Sequence, residues 1–195
     1  MSRLVALLVA LALSPLTGCV QFERRAELAV PHMVQESQLC VPTSAAMVLA
    51  FYDDPQAPRR LKALSRGRAY DPAAPFDDFT ITLFTDMKRG LSTLGYAWND
   101  AAFSDTRAGF SDGMTVIERE LMARRPVLVD ISHDGVGHTL VIRGFDSVSR
   151  ELFLLDPAQP APGAVTVSYD QFEALWNEHT YGGQFRALMT TAPKG

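Results

Sequence analysis

Three residues of this chain are suited to covalent chemistry by type and by place. Cys40 stands just before an apolar run, His138 opens a second one, and Asp156 closes a third. A thiolate can attack a carbonyl carbon, an imidazole can take and return the proton, and a carboxylate can hold the imidazole in one tautomer and orientation. The thiol is reactive only when ionised, and at its ordinary pKa of about 8.5 it is mostly protonated at neutral pH. A helix N-terminus and a neighbouring imidazolium both lower that value. The position of Cys40 supplies the first. The second must come from a histidine distant in sequence.

Four histidines compete for that role. His32 is too close to Cys40 along the chain for an easy approach. His179 follows a helix and is expected to be exposed. His133 falls in a loop around Gly135 and Gly137, whereas His138 opens the strand Thr139-Leu140-Val141-Ile142, a rigid support. If residues 152–155 pair antiparallel with residues 138–144, Asp156 lands beside His138, Asp146 lies at the far end of the hairpin, and Asp130 belongs to a neighbouring strand. The charge that builds on the carbonyl oxygen also needs donors. The backbone N–H of Cys40 is one, and the side-chain amide of Gln35 is favoured over that of Gln38 as another.

The elements that must position these groups follow from periodicity. Residues 42–52 read as a buried helix, apolar nearly all round, with Pro42 tolerated in its first turn. Residues 56–80 are rich in Pro, Asp and Arg and hold little periodic structure beyond a possible turn at 61–64. Residues 82–94 read as an amphipathic helix interrupted by Gly90, and 99–112 as a second irregular stretch. Helix 114–123 then leads to strands 126–132, 138–144, 152–155, 165–167 and 185–190, with a helix at 170–177. Helices first and a meander of strands afterwards indicate α+β.

The N-terminus carries a basic residue, Arg3, and then ten apolar residues, 4–13, too few to span a bilayer. Leu16-Thr17-Gly18-Cys19 resembles the lipobox of bacterial lipoproteins. That resemblance implies a signal peptide at 1–18 and a diacylated Cys19, with Val20 in place of aspartate directing the protein to the outer membrane, facing the periplasm. Residues 19–29 would be a polar tether and 30–195 the folded domain. Removal of 18 residues leaves 177 of the 195 and moves the formal charge from −4 to −5, a mild acidity that argues against nucleic acid as partner. Cys40 is then without a disulfide partner in an oxidising compartment, where an unused thiol is a liability. There is no internal repeat and no low-complexity tract.

The motifs together resemble the C39-like papain-fold cysteine peptidases. Val30-Pro31-His32-Met33-Val34-Gln35 and Cys40-Val41-Pro42-Thr43-Ser44-Ala45-Ala46-Met47 resemble the nucleophile segment. Arg125-Pro126-Val127 and Gly137-His138-Thr139-Leu140-Val141 are similar to the histidine strands, and Leu155-Asp156-Pro157 to the aspartate turn. The resemblance implies a papain-like fold with Cys40 as nucleophile, His138 as general base and acid, Asp156 as orienter and Gln35 in the oxyanion hole. Two residues depart from the pattern: Val41 stands where glycine is common, and Gln35 precedes Cys40 by five positions where six is frequent.

The reading that follows is a cysteine peptidase or amide hydrolase at the cell envelope, acting on a peptide or protein, with acyl transfer to an amine as a close relative. No cofactor is expected, since neither Cys-x-x-Cys nor His-Glu-x-x-His spacing is present to hold a metal with Cys40. Partner proteins are not legible. The alternative is a non-catalytic papain-fold lipoprotein, in which Cys40 is a small buried hydrophobe and the irregular stretches form a docking surface.

Overall fold

Helix α1 (Cys40–Phe51) organises the domain in a computed structural model that describes residues 24–133, 136–176 and 185–194. The signal segment, Cys19 and His179 lie outside the described residues. All of α1 from Val41 to Leu49 is buried, as its apolar sequence requires. It starts two residues earlier than the sequence indicates, at Cys40. Pro42 then falls in the first turn, where backbone N–H groups have no intrahelical acceptor and a missing one costs nothing.

Helix α1 packs on the central strand of a seven-stranded antiparallel sheet. The strands are β1 (Arg25–Glu27), β2 (Trp98–Ser104), β3 (Val127–His133), β4 (Val136–Asp146), β5 (Glu151–Leu155), β6 (Ala164–Ser168) and β7 (Phe185–Thr191), in the order β2-β7-β3-β4-β5-β6. The short β1 pairs with the far end of β4. Helices α2 (Pro58–Ser65) and α3 (Phe84–Ser92) stack behind α1, α4 (Arg107–Met122) lies across β2, and α5 (Tyr169–Leu175) follows β6. The α+β architecture and the β4–β5 hairpin are as the sequence indicates.

Three elements differ from the expectation. Residues 25–27 belong to the sheet and not to a tether. Arg25 and Glu27 look like linker residues but pair across β4 with Asp146 and Arg143, while Leu28 is buried. Helix α2 replaces the irregular stretch at 58–65. Its Leu61 is buried, and so is Lys62, whose ammonium donates to Thr80 and Thr82 and holds the following loop. Strand β2 and the first turns of α4 occupy 98–112, with Thr106 capping α4 through the Gly109 N–H at 3.1 Å. Helix α3, in contrast, forms despite its glycine. A Cβ on Gly90 would lie 2.6 Å from the Ser65 nitrogen, so the glycine lets α3 press on the end of α2.

Candidate active site

Cys40 is the first helical residue of α1, partly buried, with its thiol toward β4. The Thr139 backbone N–H and the His138 ring both favour the charged form of that thiol. One helical turn on, the Ser44 hydroxyl donates to the Thr139 carbonyl at 3.1 Å and fixes the helix against the strand. Burial works against ionisation of Cys40. The bonds from His138 and Thr139, with the His138 charge, outweigh it and hold the thiol pKa below its usual value. Buried Asp130, opposite Thr139 in the ladder, opposes that shift with its negative charge.

His138 points its Nε2 at the Asp156 Oδ1, 2.7 Å away. The pairing of Val141 with Leu155 puts the end of β5 beside the start of β4, which is the arrangement the hairpin argument requires. The two side chains are 15% and 16% exposed, so solvent screens the pair weakly. Burial disfavours the imidazolium, but Asp156 and then Cys40 reverse this and raise the His138 pKa to about 9. The carboxylate moves the opposite way. Burial raises its pKa, yet the bonds from His138 and the Ala158 N–H bring it below the ordinary aspartate value. Nε2 is engaged with Asp156, which leaves Nδ1 as the nitrogen for the thiol. All three shifts favour a thiolate, an imidazolium and a carboxylate in a row.

The remaining candidates separate clearly. Gln38 is exposed, with φ +61° in the turn before α1. Gln35 is tied by its backbone N–H to the Pro157 carbonyl at 2.7 Å, and its buried side-chain Oε1 makes no hydrogen bond among the described residues. The unpaired atom is an acceptor, so the donor an oxyanion needs would be the Nε2 of the same amide. Asp146 caps the far turn through the Val148 and Ser149 N–H groups. His133 ends β3, and its side chain lies outside what is described. His32, set aside in the sequence, has its Nε2 at 2.9 Å from the Asp156 carbonyl. Ser44 and Thr139 were also missed. Ser44 had a signal, the four-residue spacing from Cys40 that puts both on one helix face.

A pocket of about 160 Å³, lined by both apolar and charged residues, opens between α2 and residues 68–78. Cys40, His138 and Asp156 do not line it, and its cations are already paired: Arg59 with Glu36, Lys62 and Arg68 with Asp78.

The family described as "Peptidase_C39 like family" matches residues 27–184, most of the chain, and the chain belongs to that family. Solved structures share the fold. The peptidase domain of Streptococcus ComA, a bifunctional ABC transporter of a quorum-sensing pathway, has 16% identity and a TM-score of 0.60 over 85% of this chain and 99% of that one. A double-glycine-motif protease from an AMS/PCAT transporter, solved with a leader peptide, has 17% identity and a TM-score of 0.55 over 85% and 94%. The α+β domain is papain-like, as the sequence indicates. No curated protein matches the chain.

Proposed function

We propose that the chain is a cysteine peptidase or related amide hydrolase, in which Cys40 is the nucleophile, His138 the acid and base, Asp156 the orienter and Gln35 an oxyanion donor. The observation that carries this reading is the 2.7 Å bond from His138 Nε2 to Asp156 Oδ1, with the Cys40 thiol on the other side of the same ring. The Cys40 thiolate adds to the amide carbonyl carbon. The oxygen gains charge opposite the Cys40 N–H at the helix start and the Gln35 side-chain amide. His138 gives its Nδ1 proton to the leaving nitrogen as the C–N bond breaks, leaving a thioester and a free amine. Water then attacks the thioester and gives a proton to His138. The carboxylic acid departs and the thiolate–imidazolium pair is restored. An amine in place of water gives acyl transfer by the same steps.

The substrate class is a peptide or protein. The leader peptide in complex with the double-glycine-motif protease is a precedent for a peptide on this fold. Acylation of Cys19 would hold the enzyme at the cell envelope, on the outer membrane facing the periplasm. Among the described residues no helix is long and apolar enough to cross a membrane. The test is to incubate periplasmic extract with the protein and with Cys40→Ala and to quantify new peptide N-termini. New termini that require Cys40 are expected. None above the Cys40→Ala background would overturn the reading. Cys19→Ser should abolish metabolic labelling by a palmitate analogue.

A further inference from the structure

The turn that carries Asp156 is held from outside by the segment that carries Gln35. Within the turn, the Asp156 N–H donates to the Gly163 carbonyl at 2.8 Å, and the Gln159 N–H reaches the Asp156 carbonyl at 3.2 Å. The second hold on that carbonyl is the His32 ring at 2.9 Å. A carbonyl only accepts, so the Nε2 of His32 carries the hydrogen. Three residues on, the Gln35 N–H donates to the Pro157 carbonyl at 2.7 Å. Residues 32–35 and 156–157 are thus joined by two bonds, one of them from a backbone and one from a side chain. The turn is shaped around that side chain. Gly163 has φ +61°, and a Cβ there would sit 2.0 Å from the His32 Nε2, so the ring occupies the space a side chain would fill.

We propose that His32 is a positioning residue of the active site. Its Nε2–H fixes the Asp156–Pro157 turn, which aims the Asp156 carboxylate at His138, and by the same bond fixes the segment that presents the Gln35 amide. This rests on the catalytic reading given above. His32 touches neither Cys40 nor the reacting atoms. It acts through Asp156, so its loss shows first as a weaker His138–Asp156 pair and a less ionised Cys40.

The readout is the rate of alkylation of Cys40 by iodoacetamide against pH, in the full chain carrying Cys19→Ser so that a single thiol remains. His32→Leu removes the donor. His32→Asn keeps polarity but is too short to reach the carbonyl. His32→Gln places an amide N–H near the position of Nε2. The Leu and Asn variants are expected to shift the acid limb upward and to slow alkylation at pH 6.5 by about tenfold, one pKa unit. The Gln variant should stay within about twofold of the parent. A merely structural histidine would lower thermal stability in all three without moving the acid limb. Superimposed Leu, Asn and parent profiles, or equal shifts in Asn and Gln, would overturn the proposal. His138→Ala separates the two claims. A parent limb that is low and depends on His138 while ignoring His32 defeats only this inference; a parent limb at the ordinary thiol value defeats the catalytic reading and this one with it.

Discussion

Ser44 donates its hydroxyl to the Thr139 carbonyl at 3.1 Å, and so ties the helix that begins at Cys40 to the strand residue that follows His138. The proposed nucleophile, Cys40, and its proposed base, His138, come from elements about a hundred residues apart, and this bond is where those elements meet. Both groups are buried, so the bond is not exchanged for water. Ser44→Ala should lower unfolding free energy by about 1 kcal/mol, the usual net worth of such a bond. It should also slow alkylation of Cys40 at neutral pH several-fold, since the helix can then shift against β4. Denaturant unfolding and iodoacetamide kinetics on the same sample check both. A stability loss with no rate change would show that the bond holds the fold and not the site.

Asp156→Asn keeps a polar group on the ring but removes the charge. Burial then works against the His138 imidazolium with less opposition, so its pKa falls from about 9, and that of Cys40 rises. In the unaltered protein turnover should rise with the ionisation of Cys40, below the ordinary thiol value, and fall near pH 9 as His138 loses its proton. Asp156→Asn should narrow that bell from both sides. The aspartate pKa is lowered in the fold, so its contribution to stability is complete above the unfolded value, about 4, and is lost as pH falls through the folded value. The variant should therefore lose less stability than the parent on acidification below about pH 4.

The site was more legible than the fold around it. Cys40 begins α1, Asp156 follows the end of β5, and His138 opens the apolar run within β4, so periodicity gives the run and its end gives the residue. Register did the rest, because an antiparallel β4–β5 pair must bring Asp156 to His138. Helix α2 and strand β2 were illegible for the opposite reason. Lys62 looks like a surface residue, yet its ammonium is satisfied inside by Thr80 and Thr82. Strand β2 opens on buried Trp98, but Asn99 and Asp100 follow it and only Ala101 and Phe103 then turn partly inward, so the alternation is short and weak. The contact of His32 is with a carbonyl 124 positions away, which no local pattern contains.

Lys62 is completely buried, with its Nζ bonded to Thr82 Oγ1 at 2.8 Å and to the Thr80 carbonyl, and 3.7 Å from Asp78. Burial lowers its pKa, and Asp78 opposes that. Lys62→Met keeps the volume but leaves the Thr80 carbonyl without its donor, a cost of about 1–3 kcal/mol. The segment 66–82 should then be cut by trypsin at Arg66 and Arg68 much faster than in the parent. Alkylation of Cys40 should not change. Unchanged proteolysis would mean that Arg66 and Arg68, which also contact Asp78, hold the loop without the lysine.

Gly90→Ala sets two effects against each other. Alanine is favoured over glycine inside a helix by about 1 kcal/mol. Its Cβ, however, would lie 2.6 Å from the Ser65 nitrogen and 2.8 Å from the Leu64 carbonyl carbon, both backbone atoms that cannot rotate away. Forcing α3 off α2 costs about 1–3 kcal/mol, so the net effect should be a lower melting temperature. A higher one would show that the two helices separate easily.

An activated thiolate–imidazolium pair shows itself in the rate of Cys40 alkylation against pH, with and without His138→Ala. The rate should already plateau well below pH 8.5, and its acid limb should move upward when His138 is lost. A slow rate that rises only near pH 8.5 and ignores His138 would contradict it. Cys40 would then be an inert thiol, and the domain a papain-like fold used for binding.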